Sequence, residues 1–134
     1  MPKLFLLFSH KLTPTQIQDL DQTLQIAKTD LHRLPANLQL QWTKVPPTKS
    51  LKMENYLQPI ITWLKRTISP NDYLLIQGEP GAVVYMVQYA HHNNWIPIYA
   101  TTKRMVKEEK LTTGEIKKVS IFKHVAFRRY EQVL

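Results

Sequence analysis

Four short stretches of the chain carry side chains suited to a phosphorylated ligand. They are Ser9-His10, Gln77-Gly78-Glu79-Pro80-Gly81, Thr101-Thr102-Lys103-Arg104, and the run from Phe122 to Tyr130 that contains His124 and Arg128. A serine hydroxyl and a glycine N–H can hold phosphate oxygens, and a Lys-Arg pair can neutralise them. Histidine titrates near neutrality and can move a proton. RNA brings its own nucleophile, the ribose 2′-OH. A protein that aligns this hydroxyl with the adjacent phosphate and stabilises the developing charge cleaves without a metal, leaving a 2′,3′-cyclic phosphate. On this reading Ser9, His10 and Lys103 are the candidate catalytic residues. Gln77, Gly78, Glu79, Gly81, Thr101, Thr102, Arg104, His124 and Arg128 are the candidate ligand contacts. Each has a plainer alternative: a structural histidine at a strand end for His10, and a polar sheet edge for His124 and Arg128.

The glycine stretch is neither of the common phosphate cradles. A dinucleotide fingerprint needs a third glycine, and a P-loop needs Gly-Lys-Ser/Thr. Pro80 fits a first helical turn, where its missing N–H is no loss. Glu79 suits the positive end of a helix but repels a phosphate placed there. The turn therefore reads as one wall of a site whose cations come from elsewhere. The remaining histidines do not suggest a metal site. His91 and His92 are neighbours on an expected helix and point about 100° apart, and no carboxylate cluster stands near the others in sequence.

Apolar strands alternating with helices are expected to position these residues. Residues 3–9 read as a near-continuous apolar strand. Residues 13–27 have helical spacing, with Thr13 as N-cap, Pro14 at the first position and Gln16 completing a capping box. A short strand at 30–34 and an irregular or helical crossover ending at Pro46-Pro47 follow. In 48–68, Met53, Leu57, Ile60, Ile61, Leu64 and Ile68 fall on one helical face, with Pro59 marking a kink or a fresh start. Then come a strand at 73–77, a helix over 80–94 and a strand at 96–101. Beyond it the pattern changes to a basic hairpin around Thr113-Gly114. If its terminal strand stays extended, Phe122, His124, Ala126, Arg128 and Tyr130 share a face.

Apolar strands unsuited to facing water imply a mostly parallel sheet covered on both sides. The expected fold is a small Rossmann-like α/β domain over 1–134, with 103–130 as an appended hairpin. In such sheets ligands sit beyond the carboxyl ends of the strands, where the winding reverses. If strand 3–9 lies between 30–34 and 73–77, that crevice opens between Ser9-His10 and Gln77-Gly78-Glu79. Thr101 to Arg104, expected as a loop, would open on the same edge.

Bulk properties agree with an anionic partner. The formal charge is +8, and from Lys103 onward nine Lys/Arg face four Asp/Glu. Uneven positive charge favours nucleic acid, a nucleotide or a membrane surface; the alternative is a solvated hairpin that aids solubility. There is no cysteine, hence no disulfide or thiolate site, which suits a reducing cytoplasm. The apolar run Leu4 to Phe8 is too short for a signal peptide or membrane span.

The segments LFLLFSHKLT, DYLLIQGEPGAVVYMV, PIYATTKR and FKHVAFRRY, in this order over nearly the whole chain, resemble a small CRISPR-associated family, x-type number twenty, among the stand-alone ring nucleases of type III systems. The resemblance implies a CARF-like domain that forms a homodimer. Its ligand would be cyclic tetra-adenylate, cleaved to switch off an antiviral signal; DNA and membranes are not expected partners, and no cofactor is implied. Ser9 matches the Ser or Thr that such nucleases carry after their first strand. Thr102 and Lys103 match the Thr-Lys after the fourth, although Ala100 and Thr101 stand where the family pattern has glycines. A non-cleaving binder of the same ring and a basic RNA-binding adaptor are the alternative readings.

Overall fold

The computed structural model describes residues 2–133. Five strands form one sheet in the order β2-β1-β3-β4-β5, with β1 Leu4–Leu7, β2 Leu31–Arg33, β3 Tyr73–Ile76, β4 Ile96–Lys110 and β5 Ile116–Arg129. The first four are mutually parallel, and β5 runs antiparallel to β4. β1 therefore lies between β2 and β3, and the winding reverses there. All four residues of β1 and of β3 are buried, as strands covered on both faces must be.

Because the winding reverses, the connections pass over opposite faces. α1 (Pro14–Leu24) covers one face, burying Leu20 against Leu4, Leu6, Leu75 and Ile98. α2 (Ala36–Thr43), α3 (Met53–Tyr56), α4 (Gln58–Thr67) and α5 (Pro80–His92) lie on the other. There Trp42, Ile60, Leu64, Met86 and Trp95 pack on Phe5, Leu7, Leu74 and Ile76. α1 starts as its sequence dictates. Thr13 Oγ1 accepts from the Gln16 N–H, and Gln16 Oε1 accepts from the Thr13 N–H, closing the capping box.

The region 48–68 is shorter and more broken than its periodicity suggests. Residues 48–52 are not helical, and the chain restarts at Gln58 with Pro59 in the first turn. Its apolar face survives the break, since Leu57, Ile60, Ile61, Leu64 and Ile68 are all buried.

Two expectations about the C-terminal quarter need correction. Thr101 to Arg104 do not form a loop. β4 runs on without a break to Lys110, and from Thr102 outward only β5 accompanies it, making a two-stranded arm. The even-numbered face of the last strand is also broken. Thr101 pairs with Ala126 but Thr102 with His124, so Val125 is an extra residue, a β-bulge. The bulge reverses the parity. His124 shares the α1 face with Phe127, their rings 4.8 Å apart, whereas Arg128 faces the other way onto Tyr99. Among the described residues no helix is long and apolar enough to cross a membrane.

Candidate functional site

The carboxyl edge of the sheet is built by three strand exits. Leu7 pairs with Ile76, and Leu75 with Ile98. Ser9 and Gly78 each follow two residues after the Leu7–Ile76 pair, in the bends that end β1 and β3, while β4 continues through Thr101. At about 4.8 Å per strand, β1 and β4, with β3 between them, lie about 10 Å apart. Ser9 and His10 are exposed. Their loop is held by Gln39, whose side-chain amide donates to the Phe8 carbonyl at 2.7 Å. His10 lies edge-on to Phe8, ring centroids 5.5 Å apart.

The exit of β3 is largely committed to structure. The Gln77 carbonyl accepts from the Trp42 indole N–H at 3.1 Å, and its side-chain oxygen accepts from the Ala100 N–H at 2.9 Å. Gln77 thus stitches β3 to α2 and to β4. Gly78 is required by close approach, since a Cβ there would stand 3.0 Å from the Trp42 ring nitrogen. The Glu79 carboxylate accepts from the N–H groups of Gly81 and Ala82, at 2.6 and 3.3 Å. The protein fills the start of α5 with its own anion, so this helix end is closed to a phosphate.

The arm rises from this edge. Thr101 Oγ1 donates to the Ala126 carbonyl and accepts from the Ala126 N–H, at 3.0 and 3.2 Å, pinning the bulge. Lys103 is exposed directly opposite Lys123. Arg104 crosses the ribbon to donate twice to the Ser120 hydroxyl, at 3.2 and 2.9 Å. The acids of the arm, Glu108, Glu109 and Glu115, all lie toward its tip, so its base carries cations alone.

His124 is no exposed ligand contact. Its side chain is 5% exposed, with Nε2 at 2.7 Å from Asp19 Oδ2 on α1, and Nδ1 is buried without a partner. This contact fastens the arm to the body. Arg128 Nη1 donates to the Tyr99 hydroxyl at 3.1 Å. Tyr130, its neighbour, donates to the Ile76 carbonyl at 2.6 Å. Burial, and then the nearby Tyr99, push the Tyr130 hydroxyl above its usual pKa of 10.0.

Three cavities border these elements. One of about 300 Å³ lies between the first turn of α1 and the base of the arm, and includes Thr102 and His124. Another of about 580 Å³ follows α5 and residues 130–133. A third of about 390 Å³ contains Tyr99 and Arg128. Ser9, His10, Gly78 and Lys103 line none of the three. Among the described residues, no three His, Asp or Glu side chains cluster closely enough to hold a metal ion. Sequence reasoning missed Asp19, Lys123 and the Val125 bulge. Each acts through a contact made at long sequence separation, for which no local signal exists.

These features define a small α/β protein with an open carboxyl edge and a basic β-arm. The chain belongs to the Uncharacterized protein MJ1673 family, whose model matches residues 2–128. It is similar to the uncharacterized protein MJ1673 of Methanocaldococcus jannaschii, 46% identical over 130 residues that cover 97% of this chain and 98% of that one. No solved structure matches it.

Proposed function

We propose that the protein is a ring nuclease that binds cyclic tetra-adenylate at the carboxyl edge and linearises it by in-line attack of a 2′-OH. The observation that carries this reading is that β1 and β3 end level, at Leu7 and Ile76, with Ser9 and Gly78 two residues beyond, on the edge from which an arm base rises that holds Lys103 and Arg104 and no acid. Ser9 and the Gly78 N–H hold phosphate oxygens. Lys103 stabilises the charge that develops as the 2′-oxygen adds, and Arg104 shares that charge once it leaves Ser120. As the 2′-oxygen bonds to phosphorus, the bond from phosphorus to the 5′-oxygen breaks, and exposed His10 takes the 2′-OH proton or returns one to the departing 5′-oxygen.

A single chain leaves these groups on an open edge. A cyclic tetranucleotide is rotationally symmetric, so a two-fold homodimer would present the edge twice and enclose one ring. Opening the ring would end a cytoplasmic type III CRISPR signal.

The test is incubation of purified protein with cyclic tetra-adenylate in excess chelator, with products resolved by chromatography and mass detection. Linear products ending in 2′,3′-cyclic phosphate are expected. An intact ring bound by the same sample would replace the nuclease with a sensor or sponge. A ring neither bound nor changed, with linear RNA bound in its place, would leave the basic adaptor. Lys103→Ala is expected to lower ring turnover at least tenfold; unchanged binding and turnover would remove Lys103 from the site.

A further inference from the structure

We propose that the cavity between the first turn of α1 and the base of the arm seats a single nucleotide, with its aromatic base on Phe122 and its phosphate at Lys123 and the start of α1. This deepens the ring reading by giving each protomer one seat for one nucleotide unit, and it rests on that reading only for the choice of adenine.

The cavity measures about 300 Å³, at the small end of ligand pockets, which span roughly 300–1,000 Å³. It has room for one nucleotide and not for a ring of four. Its lining is divided as such a ligand requires. Thr13, Thr15, Thr102 and Lys123 supply hydroxyls and a cation, while Phe122 leads an apolar side. No carboxylate lines it. Phe122 is 67% exposed, an aromatic face left to solvent beside a cation, and bases stack on such faces whatever their identity.

Three further observations point to a missing anion. In the first turn of α1, Pro14 has no N–H and the capping box occupies those of Thr13 and Gln16. The N–H of Thr15 is left at the positive end of an 11-residue helix. The chain caps the start of α5 with the anion of Glu79 and gives this one only the neutral cap of Thr13. Lys123 sits directly across the ribbon from Lys103, a like-charge pair that disfavours the arm until an anion relieves it. The buried wall of the cavity is His124, whose Nδ1 has no partner among the described residues, and a buried polar atom without one marks a group the protein does not itself supply.

The experiment is an NMR titration of the isotope-labelled protein with adenosine 5′-monophosphate, followed in parallel by inorganic phosphate. The expected result is that the nucleotide shifts Thr15, Thr102 and Phe122, and that Phe122→Ala and Lys123→Gln each weaken it at least fivefold. Lys117→Gln, near the tip of the arm, should leave it unchanged. All three side chains are exposed or line the surface, so each variant should keep the wild-type spectrum elsewhere. Equal affinity for phosphate alone would overturn the nucleotide seat, as would shifts confined to the groove along α5. The two proposals fail separately. Nucleotide binding at the cavity without ring cleavage upholds the seat and removes the nuclease; ring cleavage without nucleotide shifts does the reverse.

Discussion

The two halves of β4 live in different solvents. From Ile96 to Ala100 the strand is a sheet member, paired with β3 and then bound by Gln77, with Pro97 and Ile98 buried. From Thr102 to Lys110 every residue is exposed, and the only partner is β5. Met105, Val106, Ile121 and Phe122 are all at least 44% exposed on the arm. An isolated two-stranded ribbon is marginal in water. This one is held at its base, by Thr101 on the bulge and by Asp19 on His124. One continuous strand thus divides its labour: the inner half carries stability and the outer half carries charge and aromatic surface. The difference teaches that the body buries its apolar residues within the chain, whereas the arm leaves Met105, Val106, Ile121 and Phe122 to solvent.

The comparison breaks most decisively in the body. Trp42 is 1% exposed and hydrogen-bonds the Gln77 carbonyl, so Trp42→Ala should cost about 3–5 kcal/mol in denaturant unfolding. A loss below 1 kcal/mol would mean that the inner edge is not held from α2. At the junction, Asp19→Ala leaves His124 buried with neither nitrogen paired. About 1–3 kcal/mol should be lost, and amide exchange should speed up from Thr102 to His124 ahead of β1 and β3. Uniform exchange would show the arm to be anchored elsewhere.

Tyr130 gives a finer test through pH. Its pKa is raised in the folded state above the ordinary 10.0, so folding keeps its proton bound. Its contribution is complete below pH 10 and is lost as pH rises through the folded value. Tyr130→Phe should therefore cost about 1 kcal/mol near neutrality, from the lost bond to Ile76, and make alkaline unfolding shallower. An unchanged alkaline limb would assign that loss to other groups. The smallest effect belongs to the outer arm. Met105→Ala with Ile121→Ala should change stability by no more than about 0.5 kcal/mol, as exposed substitutions usually do. A larger loss would show that the arm is packed in solution.

How much of this was legible depends on sequence distance. The first turn of α1 is written locally, in Thr13, Pro14 and Gln16, and forms as the spacing implies. The parallel layers follow from the unbroken apolar runs at 4–7 and 73–76. Glu79 announces its own place in the sequence, since an acid just before Pro80 suits the positive end of a helix, and there it accepts from the N–H groups of Gly81 and Ala82. Two features did not reach the sequence. Thr101-Thr102-Lys103-Arg104 looked like a loop because polar residues on an unaccompanied ribbon have no buried face to announce a strand. The placement of His124 rests on Asp19, 105 positions away, and on a bulge at Val125 that no residue type signals. The strand order that brings Ser9-His10 and Gln77-Gly78-Glu79 to one carboxyl edge was legible from topology; the arm beside them was not.

The single extra residue at Val125 works as a phase shifter. Every side chain from His124 back to the hairpin turn is rotated by half a period relative to the sheet it grew from. Were the strand to pair through Val125 without the bulge, Thr102 would stand opposite Val125 and Lys103 opposite His124, and His124 would swing away from Asp19 to the other side of the ribbon. The side chains of the outer half of β5 would trade faces while Phe127 and the rest of the core kept their seats. The chemistry this protein offers on its arm is therefore set by a count of residues as much as by their kinds.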